Sequence, residues 1–370
     1  MKSWKKLGAL AVLGLSTVAG AQEINLSGFA SAHMTQKLGG NSAPEYHSNR
    51  TNFYNFTKFG LNVASKIDEQ WSVQSQLLVS GKRIDASSED PQFNMYANWL
   101  FLAYRPTEHL RLKIGRQLFP AWLVSEYIDV GYMYPWTETP HSVYELSPFK
   151  SLNGLAADYS FALTGTHKMT VTVFGGQENV DIPLAQGGTE NNKYGSIIGS
   201  ELAIQSSSYR FRVMGSNYKV NTVDSNNTAN PYDNSSVTTL TTGFKYEKNN
   251  LLVFTEYGYR EGSKNGTEVT PTSYDGVTSR AFNKRAQAGY LTVGYWFNKT
   301  LPHLTASTSK YETGLIEGTQ DLYSVGLNHK LNDNIIFKSN VGYSVSRQGP
   351  AHMEEQGDAT TASAGLDMIF

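Results

Sequence analysis

The sequence contains no cysteine among its 370 residues. This absence excludes a disulfide-linked scaffold, a thiolate metal site, a cysteine nucleophile and a lipid-modified N-terminal cysteine. The chain also lacks an excess of either charge, since 31 lysine and arginine residues balance 32 aspartate and glutamate residues along its length. A nucleic-acid-binding protein needs a basic patch or stripe, so the sequence excludes that class and predicts no nucleic-acid partner.

Long hydrophobic runs are equally scarce, and the mean hydropathy is −0.39. The apolar run 7–15 is about half of the ~20 residues that a membrane-spanning helix needs. It follows the lysine-containing segment 1–6 and precedes Ala19-Gly20-Ala21, which is the order of a secretory signal. We predict that residues 1–21 are a cleaved signal peptide and that residues 22–370 form a single domain. Loss of the three signal lysines moves the formal net charge from −1 to −4.

Catalytic and metal-binding signatures are also missing. The eight histidines are scattered without metal-ligand spacing, and no Gly-x-Ser-x-Gly elbow, Walker loop or zinc signature occurs. We therefore predict no enzymatic activity, no metal and no cofactor.

The feature that is present is an alternation of apolar and polar residues over segments of about ten residues. Between residues 24 and 35 one face carries Ile24, Leu26, Ala30 and Met34, and the other face is mostly polar. Such alternation is typical of transmembrane β-strands, where every second side chain meets lipid. A lipid-facing arginine at the membrane midplane costs roughly 2–4 kcal/mol. Arg210 and Arg212, which share one face, must then point into a wet lumen.

Sixteen segments of this kind predict strands at 24–35, 57–66, 71–80, 94–105, 110–117, 152–161, 168–175, 196–204, 209–220, 237–246, 251–260, 285–296, 303–311, 321–331, 335–345 and 359–370. The links between them are alternately long and short throughout. Membrane barrels have short periplasmic turns and long outer loops, so this order indicates an even strand number with both termini periplasmic. We predict an all-β fold, a transmembrane antiparallel β-barrel of about sixteen strands. A soluble β-sandwich also has alternating strands, but it gives no reason for alternating loop lengths.

Three short segments carry a family resemblance. The last strand alternates and ends at Phe370, and it resembles the signal by which the barrel-assembly machinery recognises outer-membrane barrels. Residues 58–63 and Gly115-Arg116-Gln117 resemble two motifs of the trimeric sixteen-stranded general porins of Gram-negative bacteria, and the whole mature chain is similar to that family in length and loop order. The resemblance implies a homotrimer in the outer membrane, in contact with lipid and lipopolysaccharide. It also implies a water-filled channel for passive diffusion of small hydrophilic solutes and ions.

The longest link, 118–151, is the third long loop, which folds into the lumen in the porins that the chain resembles. It is too apolar to lie in water, and a long loop of this kind is usually functional. We expect Phe119, Trp122, Ile128, Met133 and Tyr134 to rest on the inner wall while its acidic residues face the opening. Basic residues of the strands would lie opposite, so that a transverse field filters solutes.

The predicted pore-lining residues are Arg111, Lys113, Arg116, Glu126, Asp129, Tyr132, Tyr134, Glu138, Glu145, Arg210, Arg212 and Glu256. Arg116 departs from the inward register, which leaves open that it fixes the loop instead. The loop aromatics favour packing on the barrel over a surface for stacking sugars. Two functional alternatives remain open: a channel specific for a sugar or a small organic or inorganic anion, and an adhesin that binds through the Asn- and Ser-rich loops 221–236 and 261–284.

Overall fold

The structure is a computed structural model that describes residues 24–40, 50–81, 93–183, 189–223, 235–264, 267–268, 285–312, 317–348 and 357–370. The predicted signal peptide, residues 1–21, lies outside the described residues. Most of the two loops considered for adhesion, 221–236 and 261–284, lies outside them as well. No helix within the described ranges has the length and apolar character needed to cross a membrane.

The described residues form seventeen strands: β1 (Ile24–Gly40), β2 (Lys58–Lys66), β3 (Trp71–Gly81), β4 (Phe93–Tyr104), β5 (Leu110–Leu118), β6 (Ser151–Ala162), β7 (Lys168–Pro183), β8 (Thr189–Gln205), β9 (Tyr209–Val223), β10 (Ser235–Lys248), β11 (Leu251–Lys264), β12 (Thr267–Glu268), β13 (Arg285–Tyr295), β14 (Thr300–Glu312), β15 (Glu317–Lys330), β16 (Ile335–Gln348) and β17 (Gly357–Ile369). The two-residue strand β12 pairs with the end of β11. The other sixteen are the predicted strands, each paired antiparallel with its neighbours, and the pairing of β17 with β1 closes the sheet. The predicted closed sixteen-stranded β-barrel is confirmed.

Two predicted long links are much shorter than expected. The predicted loop 176–195 is mostly strand, because β7 continues to Pro183 and β8 begins at Thr189. Register shifts between Gly176 and Glu178 and between Gly195 and Ile198 interrupt the alternation there, although pairing continues beyond them. The link predicted at 312–320 is likewise shorter in the structure, because β14 ends at Glu312 and β15 begins at Glu317. A pattern of strict period two cannot follow a strand through a bulge.

The barrel has an apolar outer surface and a mostly polar inner surface. On β14, for example, the exposed Leu304 lies between the buried His303 and Thr305. Val325 of β15 is 59% exposed, whereas its neighbour Ser324 is buried. An exposed apolar band around a closed barrel is suited to contact with lipid hydrocarbon.

The C-terminal residue extends the pairing of β17 with β1 that closes the barrel. The amide of Gly28 donates to the carbonyl of Phe370 at 2.8 Å, and the amide of Phe370 donates to the carbonyl of Gly28 at 3.0 Å. The Phe370 ring stacks on Phe59 with centroids 6.0 Å apart. A Cβ atom at position 28 would lie 2.4 Å from the Phe370 ring, so glycine is required there.

Deletion of Phe370 is therefore expected to reduce the yield of folded barrel. Both closing hydrogen bonds are lost, at about 0.5–1.5 kcal/mol each, and so is the ring contact. The measurement is the heat-modifiable fraction on denaturing gels after refolding into detergent. Phe297→Ala, which removes a 62% exposed ring from a short link, is the control. A yield for the deletion equal to that of the control would contradict this role of Phe370.

Candidate functional site

Residues 119–150, which we call the inner loop, lie inside the barrel and pack an aromatic face against the wall. Phe119, Trp122 and Trp136 are at most 3% exposed. The Trp136 ring contacts Phe254 and Tyr290 edge-on, with centroids 5.2 and 5.3 Å away. The loop contains two short 3-10 turns (Ser125–Tyr127 and Gly131–Met133) and one helical turn, α1 (His141–Tyr144).

Most of the residues expected to rest on the wall do so. Phe119, Trp122 and Tyr134 are buried, and Ile128 packs partly against the same cluster. A Cβ atom at position 258 would lie 2.5 Å from the Trp122 ring. Gly258 of β11 has no side chain, and this leaves room for the indole of Trp122. Met133 differs from the expectation, since it is 47% exposed. It belongs to a 3-10 turn whose geometry the sequence pattern does not specify.

Buried polar side chains of the wall bind the backbone of the inner loop. Arg212 donates to the carbonyls of Pro120 and Ala121 and pairs with Glu201 at 2.9 Å. Lys338 donates to the carbonyls of three loop residues, Gly131, Tyr134 and Trp136, at 2.5 to 3.2 Å. Since a loop has unpaired backbone groups that must be satisfied when buried, these bonds allow it to lie inside the barrel.

Glu256 of β11 also holds the inner loop, in this case by accepting hydrogen bonds. Its carboxylate accepts from the amide of Leu123 at 2.7 Å and from the hydroxyls of Tyr144 and Tyr290 at 2.6 and 2.8 Å. Arg212 is 0% and Glu256 3% exposed, so neither lines the opening as the sequence predicted. The alternation placed both correctly on the inner face, but it carried no information on which residues the loop would cover.

The middle of the inner loop is also bound to β2, to β4 and to the link between β15 and β16. Asp129 pairs with Lys58 at 2.7 Å and accepts from Asn98 at 3.0 Å. Burial raises the pKa of Asp129, but the charges of Lys58 and Lys150 outweigh it and hold the pKa well below its usual range. Tyr132 donates to the carbonyl of Asp333 at 2.7 Å, in the short link 331–334. The side chains of Asp129 and Tyr134 are buried between the loop and the wall instead of facing the opening, and Tyr132 is bound to a turn.

Two further acids, Glu138 and Glu145, lie in the last third of the inner loop. Glu145 pairs with His141 at 2.6 Å. Burial and the nearby charge of Glu145 raise the pKa of Glu138 well above its usual range. Glu138 borders a small pocket of about 40 Å³ next to Ser324 and Thr361 on β15 and β17. Within the described ranges, no group of three or more histidine, aspartate or glutamate side chains is arranged to hold a metal ion.

The main cavity, of about 510 Å³, lies between the first part of the inner loop and the wall formed by β3 to β9. Its charged lining includes Arg111, Lys113, Glu126, Asp158, Glu201 and Arg210. Four of these residues, Arg111, Lys113, Glu126 and Arg210, were predicted to line the pore, so the structure brings a third of the predicted set together here.

The charges of this cavity are paired across and along its wall. Arg111 and Lys113 share the carboxylate of Asp158, at 2.7 and 3.1 Å. Glu126 of the loop accepts from Arg210 at 3.2 Å. Burial raises the pKa of Glu126, but Arg210, Lys113 and Arg111 together lower it overall. A loop carboxylate therefore stands near three wall cations, while Asp158 and Glu201 neutralise part of the basic wall that the sequence predicted.

Arg116 takes neither of the roles considered for it from the sequence. Its guanidinium pairs with Glu178 of β7 at 2.6 Å, outside the set of described residues that line the main cavity. Gly115 has a φ of 130°, a conformation that only glycine adopts readily, and this backbone irregularity lies within β5 directly before Arg116. The glycine in the Gly115-Arg116-Gln117 motif was a signal for this irregularity.

Trp99 and Phe101 were not predicted to face the lumen, yet both line the main cavity. The register of β4 against β3 shifts between Gln76 and Leu77, so that Asn98 is an additional residue. Asn98 and Trp99 can then both be directed inward, which a strict alternation forbids. The Asn in an otherwise apolar run, 95–102, is the sequence signal of this bulge.

The anchoring of the inner loop gives a testable effect on stability. Replacing Arg212 by Ala removes the buried 2.9 Å partner of Glu201, which keeps only Arg210 at 3.6 Å, and takes the guanidinium donor from the carbonyl of Pro120. Breaking a buried ion pair in this way costs roughly 3–5 kcal/mol. We expect a clear drop in the unfolding temperature, measured by circular dichroism in detergent. Arg347→Ala is the matched control, because Arg347 is 61% exposed in its pair with Asp321 and exposed pairs contribute about 0–1 kcal/mol. Equal unfolding temperatures for the two variants would show that the loop does not depend on Arg212.

No protein-family model and no curated protein matches this sequence. Solved structures do share the fold. The outer membrane channel DcaP of Acinetobacter baumannii has 12% identity and a TM-score of 0.60 over 96% of this chain and 99% of that one. The anion-selective porin from Comamonas acidovorans has 11% identity and a TM-score of 0.60, over 94% of this chain and 100% of that one. OmpF of Salmonella typhi has 14% identity and a TM-score of 0.59, over 94% and 98%. The chain is thus a closed sixteen-stranded antiparallel β-barrel with the fold of outer-membrane porins and channels.

Proposed function

We propose that this protein forms a water-filled channel through the outer membrane of a Gram-negative bacterium, for passive diffusion of small hydrophilic solutes and ions. The observation that carries the proposal is the main cavity, which is lined by ionised side chains inside a barrel whose outer surface is apolar. Ionised groups are stable in such a place only when they are hydrated or paired. Arg111 and Glu126 remain 33% and 65% exposed in the lumen, which supports a cavity filled with water.

The inner loop constricts this channel on one side. Its aromatic face and its bound carbonyls fill the lumen against β9 to β17, so the solute path runs between the start of the loop and β3 to β9. Glu126 on the loop and the cations Arg111, Lys113 and Arg210 on the wall border that path. Opposite charges across a narrow opening of low dielectric produce a strong transverse field, which orders water and selects among small polar solutes.

The surroundings of the channel follow from the same proposal. The apolar outer band contacts outer-membrane lipid and lipopolysaccharide, and the C-terminal strand ending at Phe370 is the contact for the barrel-assembly machinery. Assembly as a homotrimer stays a prediction from the family resemblance. The channel performs no chemistry on its solutes, since diffusion through an open lumen requires none.

The test is the conductance of the purified full-length protein in planar bilayers. We expect stable open steps in potassium chloride, in groups of three for a trimer, and none from protein that has been boiled in detergent. A correctly folded barrel that inserts and stays electrically silent would contradict the channel and favour an adhesin.

A further inference from the structure

Two aromatic side chains, Trp99 and Phe101, lie beside the basic residues of the main cavity. Their rings are adjacent, with centroids 5.7 Å apart. In the pairing of β4 with β5, Phe101 is opposite Gly115 and Ala103 is opposite Lys113. Phe101 and Lys113 are therefore diagonal neighbours on one face, a separation of about 7–8 Å that long side chains span.

The same patch places two cations beside the aromatic rings. Arg111 and Lys113 contribute two cations and share the single carboxylate of Asp158. Glu126, the loop acid across the cavity, is bound to Arg210. Arg111 remains 33% exposed toward the cavity, so part of its guanidinium is available to an incoming group.

Barrel packing does not account for these aromatics. The buried aromatic cluster under the inner loop, as far as the structure is described, does not include Trp99 or Phe101. Both side chains are partly exposed in a lumen whose neighbouring residues, Gln74 and Gln117, are polar. Apolar rings exposed to water are unfavourable unless another apolar surface covers them.

We infer that Trp99, Phe101, Arg111 and Lys113 form a binding site for small organic anions that have a planar apolar body, such as aromatic carboxylates. The carboxylate contacts Arg111 and Lys113, and the ring packs on Phe101 and Trp99. This inference rests on the proposed channel and specifies its substrate class. A fork of guanidinium donors matches a carboxylate, and offset aromatic contacts add to the hydrophobic gain.

The experiment compares three probes as blockers of the current through the reconstituted full-length channel. Benzoate has both charge and ring, acetate has the charge alone, and benzyl alcohol has the ring alone. We expect half-block by benzoate at a roughly tenfold lower concentration than by either partial probe, a difference of about 1.4 kcal/mol in binding free energy for the added ring or the added charge. Benzylammonium, of opposite charge, is expected to block no better than benzyl alcohol.

Two variants assign the effect to the site. Phe101→Thr should remove the advantage of benzoate over acetate, and Lys113→Gln should weaken block by both anions while Arg111 keeps its pair with Asp158. Phe297→Thr and Lys299→Gln make the same chemical changes at exposed positions of a short link and should leave all half-block concentrations unchanged.

Binding of benzoate to the detergent-solubilised barrel, measured by calorimetry, separates this inference from the proposed function. Heat of binding that disappears in Phe101→Thr supports the site even in a barrel that does not conduct. A conducting barrel in which benzoate neither binds nor blocks better than acetate would overturn the site and leave the channel standing. Equal block by benzylammonium would overturn the assignment to anions.

Discussion

A chain in which residues 126–140 are replaced by a short glycine linker should show a single-channel conductance raised about twofold or more, because conductance follows the open cross-section of the lumen. The deleted segment contains Trp136, 1% exposed, and the backbone that Lys338 binds. These groups occupy lumen space next to the main cavity. Lys338 also pairs with Asp367 of β17 at 3.0 Å. Removing the segment leaves these two residues as a hydrated ion pair on an open wall, which a water-filled barrel tolerates.

A second deletion serves as the matched control for this experiment. A comparable shortening of the link 224–234, between β9 and β10, changes a predicted outer loop that is distinct from the inner loop, and it should leave the conductance within experimental error. Unaltered conductance of the 126–140 deletion, in protein that remains heat-modifiable and trypsin-resistant, would show that this segment does not restrict the conducting path.

The second large effect is on ion preference. Replacing Arg111 and Lys113 together by Glu changes the charge beside Glu126 and Asp158 by four units. Two charges 4 Å apart interact by about 1 kcal/mol in bulk water and more strongly in a narrow lumen. We expect the reversal potential under a salt gradient to move clearly toward the potassium equilibrium potential.

Arg347→Glu combined with Lys310→Glu makes the same charge change at positions that do not line the main cavity in the described part of the chain. This control should move the reversal potential little, because exposed charges more than about 10 Å away are screened at 0.1 M salt. Raising the salt concentration should shrink the shift of the Arg111 and Lys113 variant. A reversal potential identical to that of the unmodified channel would place these two residues outside the ion path.

The barrel itself could be predicted from the sequence because its determinants are local. Period-two alternation requires nothing beyond neighbouring residues, and it located the inward faces of Arg111, Lys113 and Arg210 as well as the closing strand at Phe370. The alternation failed where a bulge changes the parity of the strand. Asn98 and Gly176 lie at such positions, and they account for the lumenal Trp99 and for the unexpectedly long β7.

The arrangement of the inner loop could be predicted only in part. Its apolar composition indicated that Phe119 and Trp122 needed a wall to pack on. The partners of its polar groups are more than a hundred residues away in the chain, as in the bond from Leu123 to Glu256. No local pattern encodes such pairs, which is why Glu256 and Asp129 were expected in the opening. Glu256 lies beneath the loop, and Asp129 is buried between the loop and Lys58 of the wall.

The most direct test of a wet lumen inside an apolar barrel uses two adjacent residues of β7. Thr172 lines the main cavity, whereas Val173 is 51% exposed on the outer surface. The chain has no cysteine, so Thr172→Cys and Val173→Cys each introduce a single thiol. A charged, membrane-impermeant methanethiosulfonate should reduce the single-channel current of Thr172→Cys and leave that of Val173→Cys unchanged. Equal reaction of both thiols, or block through Val173→Cys alone, would contradict the account.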